Sequence, residues 1–288
     1  MRGLFPEWPA LAAIAIWASL ATVAGGSLRG VSPAALFTVA LATAAVCMAL
    51  VERLRGRSIG AMFRPRARDA LLVAYGMGLY HALLFVAFDR APLVEANLLN
   101  YLWPLLTVLF AAPICGERLS RRVVAGAVLG FAGAALVIGG SASIGFSSRS
   151  IVGYACATAA AICWASFTNL LKARPLRSPA FPLGTALSAA LGVAWMAASG
   201  ASPPGGASLA SAVYLGALPM GLATPAWELG IRRGRVSVVG ALAYLTPLLS
   251  TLGVCAVLHH PLSKTSAIGG VLILLGAILG SARRTSRA

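Results

Sequence analysis

Charged residues are scarce in this chain. Only 10% of its 288 residues are Asp, Glu, Lys or Arg, and 59% are hydrophobic. A soluble domain normally carries about a quarter charged residues. The chain therefore has too little polar surface to cover a globule in water, and its apolar excess must face lipid. This composition predicts an integral membrane protein.

Acidic residues are rarer still than basic ones. Seven Asp and Glu stand against 23 Lys and Arg, which gives a formal net charge of +16. Such a surplus can indicate nucleic-acid binding, but here the basic residues lie in short clusters between apolar segments rather than along one amphipathic face. We expect the lipid bilayer, and no nucleic acid, as the macromolecular environment.

Several kinds of functional motif are also missing. The five cysteines form no CxxC pair, so they are interpreted as small buried hydrophobes rather than as disulfides or metal ligands. No GxxxxGK[ST] loop is present, which argues against ATP hydrolysis by this chain. An intramembrane enzyme would need clustered acid and base groups, and only His81 and Glu228 are candidates. We therefore predict no metal, no cofactor and no enzymatic activity.

Ten apolar stretches are long enough to cross a bilayer, which takes about 20 residues each. The first could be mistaken for a signal peptide, but it is too long for a simple signal sequence and is needed for the repeat described below. The predicted spans, numbered 1 to 10, are 8–27, 33–51, 70–88, 93–114, 122–140, 151–171, 179–199, 208–231, 236–258 and 265–282. The fold class is therefore all-α integral membrane, with short connections and no inserted soluble domain.

The basic residues test this division, because cytoplasmic loops are enriched in Lys and Arg. With ten spans, 19 of the 23 basic residues fall on the side that holds both termini, and four fall on the other side. A missed or invented span would scramble this ratio. The N- and C-termini are therefore predicted to be cytoplasmic.

An internal repeat appears when the chain is shifted by 143 residues. Tyr101-Leu102-Trp103-Pro104-Leu105-Leu106 then lies over Tyr244-Leu245-Thr246-Pro247-Leu248-Leu249, and Met77-Gly78-Leu79 lies over Met220-Gly221-Leu222. At a shift of 147, Trp17-Ala18-Ser19 meets Trp164-Ala165-Ser166. The halves are predicted to be 1–145 and 146–288, with five spans each.

An odd number of spans forces the second half to enter the membrane from the opposite side. Inverted repeats of this kind are typical of secondary transporters, whose substrate site lies near the bilayer midplane between the halves. The alternative is a duplicated scaffold that transports nothing.

These features resemble the drug/metabolite transporter superfamily, and within it the ten-helix EamA-type branch. The resemblance rests on the paired Tyr-Leu-x-Pro-Leu-Leu segments and on Gly116-Glu117-Arg118-Leu119-Ser120 after span 4, and it covers essentially the whole chain. It implies a bacterial inner-membrane exporter of amino acids, aromatic ones included, or of related metabolites. The second half departs from the pattern, because 259–263 carry no acidic residue.

Two helical faces in spans 4 and 9 are predicted to line the substrate path. Asn97, Tyr101 and Pro104 are spaced i, i+4 and i+7, and Gly240, Tyr244 and Pro247 repeat the pattern. Asn100 and Trp103 lie beside the first face. Proline in a membrane helix frees the carbonyl four residues earlier, which is tolerated where it lines a cavity. Pro104 and Pro247 are therefore candidate hinges or gates, with a packing kink as the alternative.

Aromatic residues within spans are predicted to line the cavity. Trp17 and Trp164 lie inside their spans, away from the interfaces where tryptophan is usually found, and Tyr80, Trp103 and Trp227 extend the set. Aromatic faces stack on flat solutes and attract an ammonium group, so such a cavity suits aromatic and apolar amino acids. The alternative is that these rings face lipid or pack between helices.

His81 either binds a substrate carboxylate or carries a coupled proton, or it is a neutral residue that packs between helices. Glu228 is expected to pair with Arg232 one turn later, and Glu117 is expected to be structural. Gly126-x-x-x-Gly130 is a close-packing pattern. Spans 5 and 10 are therefore expected to brace each half or to form a dimer contact, in a monomer or weak homodimer.

The sequence as a whole predicts a secondary transporter that exports amino acids or related metabolites by alternating access. Spans 1, 3, 4, 6, 8 and 9 would line the path. The alternatives are a broad-specificity drug exporter and an intramembrane enzyme.

Overall fold

A computed structural model of the protein describes residues 6–19, 30–140, 145–177, 179–258 and 262–281. In these residues nine helices are long and apolar enough to cross a membrane, and a tenth apolar helix is shorter. The observed spans are Trp8–Ala18, Pro33–Leu54, Ala67–Arg90, Leu93–Cys115, Arg121–Gly139, Ser148–Ala173, Phe181–Ala198, Gly206–Arg233, Val236–Val257 and Lys264–Ser281. A short helix, Ile59–Phe63, lies between spans 2 and 3. The ten-helix prediction is confirmed, while 20–27 of predicted span 1 lie outside the described residues.

Helix ends explain one of the sequence repeats. Leu119-Ser120 and Leu262-Ser263 match at the shift of 143, and both serines are N-caps. The Ser120 hydroxyl accepts from the backbone N–H of Val123 at 3.3 Å, and the Ser263 hydroxyl accepts from that of Ser266 at 3.0 Å. Such caps satisfy backbone donors that a helix start leaves free. The repeated motif therefore marks where spans 5 and 10 begin.

Spans 3 and 8 each contain a π-helical segment. The segments are Ala74–Leu79 in span 3 and Gly216–Leu222 in span 8, and a shift of 143 superposes them almost completely. They contain the repeated Met-Gly-Leu triplets found in the sequence. Short π segments within α-helices occur frequently at functional sites, and these two lie near the middle of their spans.

Spans 4 and 9 are both broken near their middle. Span 4 consists of Leu93–Asn100 (span 4a) and Leu102–Cys115 (span 4b). Span 9 consists of Val236–Leu242 (span 9a) and Leu245–Leu258 (span 9b). Each break lies three to four residues before the repeated proline, because proline lacks the N–H that would bond to that part of the helix.

The charge-rich connections meet at one end of the bundle, here called the N-terminal face. Asp69 at the start of span 3 accepts from the backbone N–H of Arg177, in the connection after span 6, at 2.9 Å. The Lys172 ammonium donates to the carbonyl of Gly234, after span 8, at 2.8 Å. Glu7 before span 1 lies against the same glycine, since a Cβ at Gly234 would be 2.8 Å from its Cγ.

The remaining described connections meet at the other end, the opposite face. There Glu95 at the start of span 4 accepts from the backbone N–H of Gly145, before span 6, at 3.0 Å. Spans 3 and 6 also cross tightly there, because a Cβ at Gly153 would lie 2.6 Å from the Cβ of Ala91. The pairing of connections agrees with ten spans of alternating direction.

Spans 5 and 10 pack along each other through small residues. A Cβ at Gly126 would lie 2.6 Å from the Gly276 carbonyl oxygen, and one at Gly133 would lie 2.5 Å from that of Gly269. Only glycine permits this approach. The spans were expected to brace each half or to form a dimer contact. The structure shows that they join the two halves, so these glycines are covered within the chain. Spans 2 and 7 pair similarly on another side of the bundle.

Candidate functional site

Six residues from spans 1, 3, 4, 6 and 8 form an aromatic centre in the bundle, here called the central cluster. Its members are Trp17, Tyr80, His81, Trp103, Trp164 and Trp227. The ring centroid of Trp17 lies 6.1 Å from Trp103, 5.9 Å from Trp164 and 5.2 Å from Trp227. Trp103 lies 5.5 Å from Trp227 with its plane nearly perpendicular. Edge-to-face contacts of this kind stabilise aromatic pairs beyond the burial of their area.

The side of the cluster formed by span 3 adds a phenol and an imidazole. The Tyr80 ring centroid lies 4.7 Å from those of both His81 and Trp164. His81 Nδ1 lies 2.7 Å from the carbonyl oxygen of Met77 in the π segment. Because a carbonyl only accepts, Nδ1 carries the proton, and in the neutral ring Nε2 remains an acceptor.

Hydrogen bonds hold two of the indoles in place. Trp17 Nε1 donates to the carbonyl of Pro219, in the π segment of span 8, at 2.9 Å. Trp227 Nε1 donates to the hydroxyl of Thr168 in span 6 at 3.2 Å. Buried tryptophan usually needs such a partner for its N–H. The cluster is thereby tied to a π segment whose backbone departs from α-helical pairing.

The cluster follows the internal repeat only in part. Trp17 and Trp164 are equivalent at the shift of 147, but Trp103 corresponds to Thr246 and Trp227 corresponds to Leu84. Two of the four tryptophans therefore have no aromatic counterpart in the other half. The repeat alone predicted the first pair, whereas Trp103 and Trp227 followed from their position inside membrane spans.

Two polar atoms near the helix breaks have no hydrogen-bond partner. Asn100 Oδ1, at the end of span 4a, and Thr246 Oγ1, near the start of span 9b, are the buried unpartnered side-chain oxygens and nitrogens found in the described part of the chain. Asn100 is only 5% exposed, and its amide lies beside the Tyr80 hydroxyl. Buried polar groups of this kind require an explanation.

Other predicted residues lie apart from the cluster, in a cleft of about 250 Å³ between spans 4a, 5 and 9b. Its lining residues are Leu93, Val94, Asn97, Tyr101, Val137, Ile138, Pro247, Ser250 and Thr251. We call this the outer cleft. Its polar side chains come from both broken spans, and it lies in the half of the bundle nearer the opposite face.

Tyr244 and Pro104 lie in neither place. Tyr244 is fully buried, donates its hydroxyl to the Tyr101 carbonyl at 3.3 Å, and packs so closely on span 5 that a Cβ at Gly130 would be 2.5 Å from its Cδ2. Pro104 is buried, and its carbonyl oxygen faces Gly240 of span 9a. The structure therefore divides the predicted path residues between the central cluster, the outer cleft and a packed helix interface.

Two tyrosine–serine hydrogen bonds were not predicted. The Tyr75 and Ser166 hydroxyls lie 2.7 Å apart, and those of Ser19 and Tyr214 lie 2.5 Å apart. Each serine also donates to a carbonyl of its own helix, Ser19 to Ile16 at 2.6 Å and Ser166 one turn back, so the tyrosines are the donors. The serines belong to the repeated Trp-Ala-Ser motif. The tyrosines are 139 residues apart, so the shift of 143 did not reveal them.

Two carboxylates on the N-terminal face, those of Glu228 and Glu117, are bound within the chain. Glu228 Oε1 lies 3.3 Å from Arg232 Nη1, as the spacing predicted. Glu117 accepts from the backbone N–H of Val236 at 2.7 Å and from the Ser237 hydroxyl at 2.6 Å. Its carboxylate is also 3.8 Å from Arg235. Glu117 thus caps span 9a from the connection after span 4. No group of His, Cys, Asp and Glu suited to a metal occurs in the residues described.

A family model, several known proteins and a solved structure each match nearly the whole chain. A family model described as "EamA-like transporter family" matches residues 5–139 and 151–282. "Aromatic amino acid exporter YddG" of Ancylobacter novellus is 34% identical over 279 residues, which are 93% of this chain and 94% of that protein. The "Probable terminal-alkyne amino-acid exporter" of Streptantibioticus cattleyicolor is 28% identical over 97% of this chain and 94% of its own. A solved crystal structure superposes with a TM-score of 0.86 at 30% identity, and covers 96% of this chain and 97% of its own.

Proposed function

This chain belongs to the EamA-like transporter family, and we propose that it exports amino acids with aromatic or other apolar side chains across the bacterial inner membrane. The names of its relatives support this choice of substrate. The observation that carries the proposal is the central cluster, in which four tryptophans from four different spans meet inside a membrane bundle.

The chemistry of the cluster fits such a substrate. The indole edges and faces offer stacking surfaces to a flat apolar side chain, and they attract an ammonium group by cation–π contact. In the structure the rings contact one another, so a substrate enters by displacing them. Because each tryptophan lies on a different span, this displacement separates the spans themselves.

The positions of the irregular segments support alternating access. The breaks in spans 4 and 9 and the π segments in spans 3 and 8 lie at repeat-equivalent positions on both sides of the cluster. Discontinuous helices beside a central site are a common feature of transporters with inverted repeats. Bending at these segments would expose the cluster first to one face and then to the other.

The direction of insertion follows from charge. Among the described residues, the N-terminal face holds the arginine-rich connections after spans 2, 4, 6 and 8, and basic loops remain on the cytoplasmic side. The N-terminal face is therefore the cytoplasmic one in this proposal, and the outer cleft faces the periplasmic half of the membrane.

A proton gradient is the proposed driving force, and His81 is the proposed carrier. Its Nδ1 proton is held by the Met77 carbonyl, so a transported proton would be taken up at Nε2. The ring centroid of His81 is 6.3 Å from that of Trp164. Protonation would thus place a charge at the edge of the cluster, where substrate binds.

A cationic-drug exporter is the other candidate, and it is less well supported. Such a transporter needs a carboxylate at the centre of its cavity to bind the cation. No member of the central cluster is acidic, and Glu228, one residue after Trp227, is already paired with Arg232.

The proposal is tested by transport in proteoliposomes. Labelled tryptophan and phenylalanine are supplied with and without an imposed proton gradient, and the wild type is compared with Trp164→Ala. We expect saturable flux that the gradient increases and that Trp164→Ala lowers at least on the order of tenfold, since truncating a hot-spot tryptophan costs about 2 kcal/mol or more. Leu274→Ala, at a half-exposed position on span 10, is the matched control.

The absence of amino-acid flux above protein-free liposomes, from a folded preparation, would refute the proposed substrate. Flux that does not depend on the proton gradient would refute proton coupling and the role of His81, but not the proposed substrate.

A further inference from the structure

Asn100 carries a buried amide whose oxygen makes no hydrogen bond. Its residue is 5% exposed and its Oδ1 has no hydrogen-bond partner. Burying an unpaired polar group costs on the order of 1–3 kcal/mol in proteins, and within a bilayer no lipid tail can replace the missing donor. A transporter that retains this cost at its centre has a reason to do so if a solute supplies the donor.

The same residue presents a second acceptor through its backbone. In an unbroken helix the carbonyl of Asn100 would accept from the N–H of the residue four positions later, which is Pro104 and has none. The helix also breaks at Tyr101. Side chain and backbone thus provide two oxygens at one point in the membrane interior.

These oxygens lie at the border of the central cluster. The Asn100 amide is beside the Tyr80 hydroxyl, and the ring of Tyr80 is 4.7 Å from that of Trp164. Span 4a packs against spans 3 and 6, which carry these two rings. A solute stacked on the indoles therefore has the acceptors of Asn100 within its own length.

We propose that Asn100 binds the ammonium group of the transported amino acid, with Oδ1 and the freed backbone carbonyl accepting its N–H donors. This inference rests on the proposed function and specifies how the site recognises an amino acid. Oxygen acceptors and aromatic faces complement an ammonium group without a buried carboxylate. The substrate therefore leaves without having to break an ion pair.

Another asparagine provides the matched comparison. Asn169 in span 6 is also fully buried, but its Nδ2 donates to the carbonyls of Thr107 at 3.1 Å and Ala165 at 2.9 Å. Asn169 is thus a structural asparagine, whereas Asn100 has its oxygen unused. Replacing either by leucine removes an amide from the membrane interior, but only Asn100→Leu removes the proposed contact with substrate.

The test uses three labelled ligands that share one ring. Phenylalanine has both charged groups, phenethylamine has only the ammonium group, and 3-phenylpropanoate has only the carboxylate. Direct binding of each is measured on the full-length protein in lipid nanodiscs. For Asn100→Leu we expect the Kd of phenylalanine and of phenethylamine to rise on the order of tenfold or more, as for the loss of a hydrogen bond to a charged group. Binding of 3-phenylpropanoate should change by less than about twofold on the same reasoning.

Asn100→Asp keeps an acceptor in place and guards against a misfolded leucine variant. It should bind phenethylamine at least as tightly as the wild type, and 3-phenylpropanoate more weakly, because the new charge attracts an ammonium group and repels a carboxylate. Asn169→Leu should affect the three ligands alike.

Two results separate the possible failures. If Asn100→Leu or Asn100→Asp changes the binding of the ammonium and carboxylate ligands in parallel, Asn100 is structural and the inference is overturned. The proposed function would still stand in that case, provided that the wild type binds phenylalanine. If the wild type binds phenethylamine in an Asn100-dependent way but does not bind phenylalanine, the proposal that the protein transports amino acids fails, and the ammonium site at Asn100 stands.

Discussion

The two crossings of spans 4 and 9 are equivalent by sequence but differ in structure. Towards the N-terminal face span 9a packs directly on span 4b, and a Cβ at Gly240 would be 3.1 Å from Thr107 Cγ2 and 3.2 Å from Val108 Cγ2. Towards the opposite face the outer cleft separates spans 4a and 9b, with Asn97 on one wall and Ser250 on the other. Spans 4 and 9 are thus in direct contact at one crossing and separated by a cleft at the other.

The shift of 143 pairs the residues of the two crossings one by one. Gly240 corresponds to Asn97, and Thr107 corresponds to Ser250. The absence of a side chain at position 240 permits the close approach on one side, whereas an amide occupies the equivalent place on the other. The two halves can therefore form two crossings that are similar in backbone and different in packing.

Glu117 adds to this difference. Its carboxylate caps span 9a and thereby ties the connection after span 4 to the start of span 9. Negative charge at a helix N-terminus is favourable, and hydrogen bonds to a carboxylate are stronger than neutral ones. The equivalent position in the second half is His260, which lies outside the described residues. The repeat thus supplies this carboxylate after span 4 but not at the equivalent position after span 9.

The largest expected effect is a difference in chemical accessibility between the two crossings. In a background whose five cysteines are replaced by alanine, we compare Thr107→Cys with Ser250→Cys. Thr107 is fully buried, so its thiol reacts only after local opening, and we expect modification on the order of 100-fold slower than at Ser250→Cys, which lines the outer cleft. A membrane-impermeant maleimide applied from each side gives the rates. Equal rates would show that the two crossings open alike.

The second prediction removes the Glu117 carboxylate. Glu117→Ala should raise the reaction rate of Thr107→Cys on the order of tenfold, because it deletes charge-assisted hydrogen bonds worth about 1.5–3 kcal/mol. The rate at Ser250→Cys should stay the same or fall, because more molecules would have the N-terminal crossing open and fewer would have the outer cleft open. Glu52→Ala is the control, because Glu52 pairs with Arg55 on the exposed surface at 2.7 Å and such pairs contribute little. An unchanged rate at Thr107→Cys would mean that helix packing alone closes this crossing.

Much of this architecture could be predicted from the sequence, because it depends on composition and local pattern. The number of spans follows from the length of the apolar stretches. The repeated motifs Met-Gly-Leu and Leu-Ser mark equivalent positions, which in the structure are π segments and N-caps. The placement of Trp17 and Trp164 in a common cluster followed from their equivalent positions.

The difference between the crossings could not be predicted, because it depends on three-dimensional pairing. The sequence shows Gly240 and Asn97 only as members of similar helical faces. The neighbouring residues do not indicate which of the two contacts a partner helix. Tyr244 illustrates the same limit. It was expected beside the substrate path, but the structure buries it against span 5, where Gly130 leaves room for its ring. Contacts across the halves decide such cases.

The smallest expected effects come from the tyrosine–serine pairs, which lie on either side of the central cluster. Tyr75 donates to Ser166 in the half of span 3 nearer the N-terminal face, and Tyr214 donates to Ser19 in the half of span 8 nearer the opposite face. Each bond joins a cluster-bearing span to a span with a π segment. Removing one hydroxyl should therefore weaken closure on its own side only.

Tyr75→Phe is expected to raise the reaction rate at Thr107→Cys about twofold to tenfold, as for the loss of one neutral hydrogen bond of about 0.5–1.5 kcal/mol. Tyr214→Phe should leave that rate unchanged or lower it, because Ser250 already lines the outer cleft and a weaker closure on that side favours the same state further. The ratio of the rate at Thr107→Cys to that at Ser250→Cys should thus rise in the first variant and not in the second. Phenylalanine keeps the ring and removes only the hydroxyl, so a general loss of packing would raise both rates in both variants. That outcome would show that the pairs stabilise the fold without belonging to either gate.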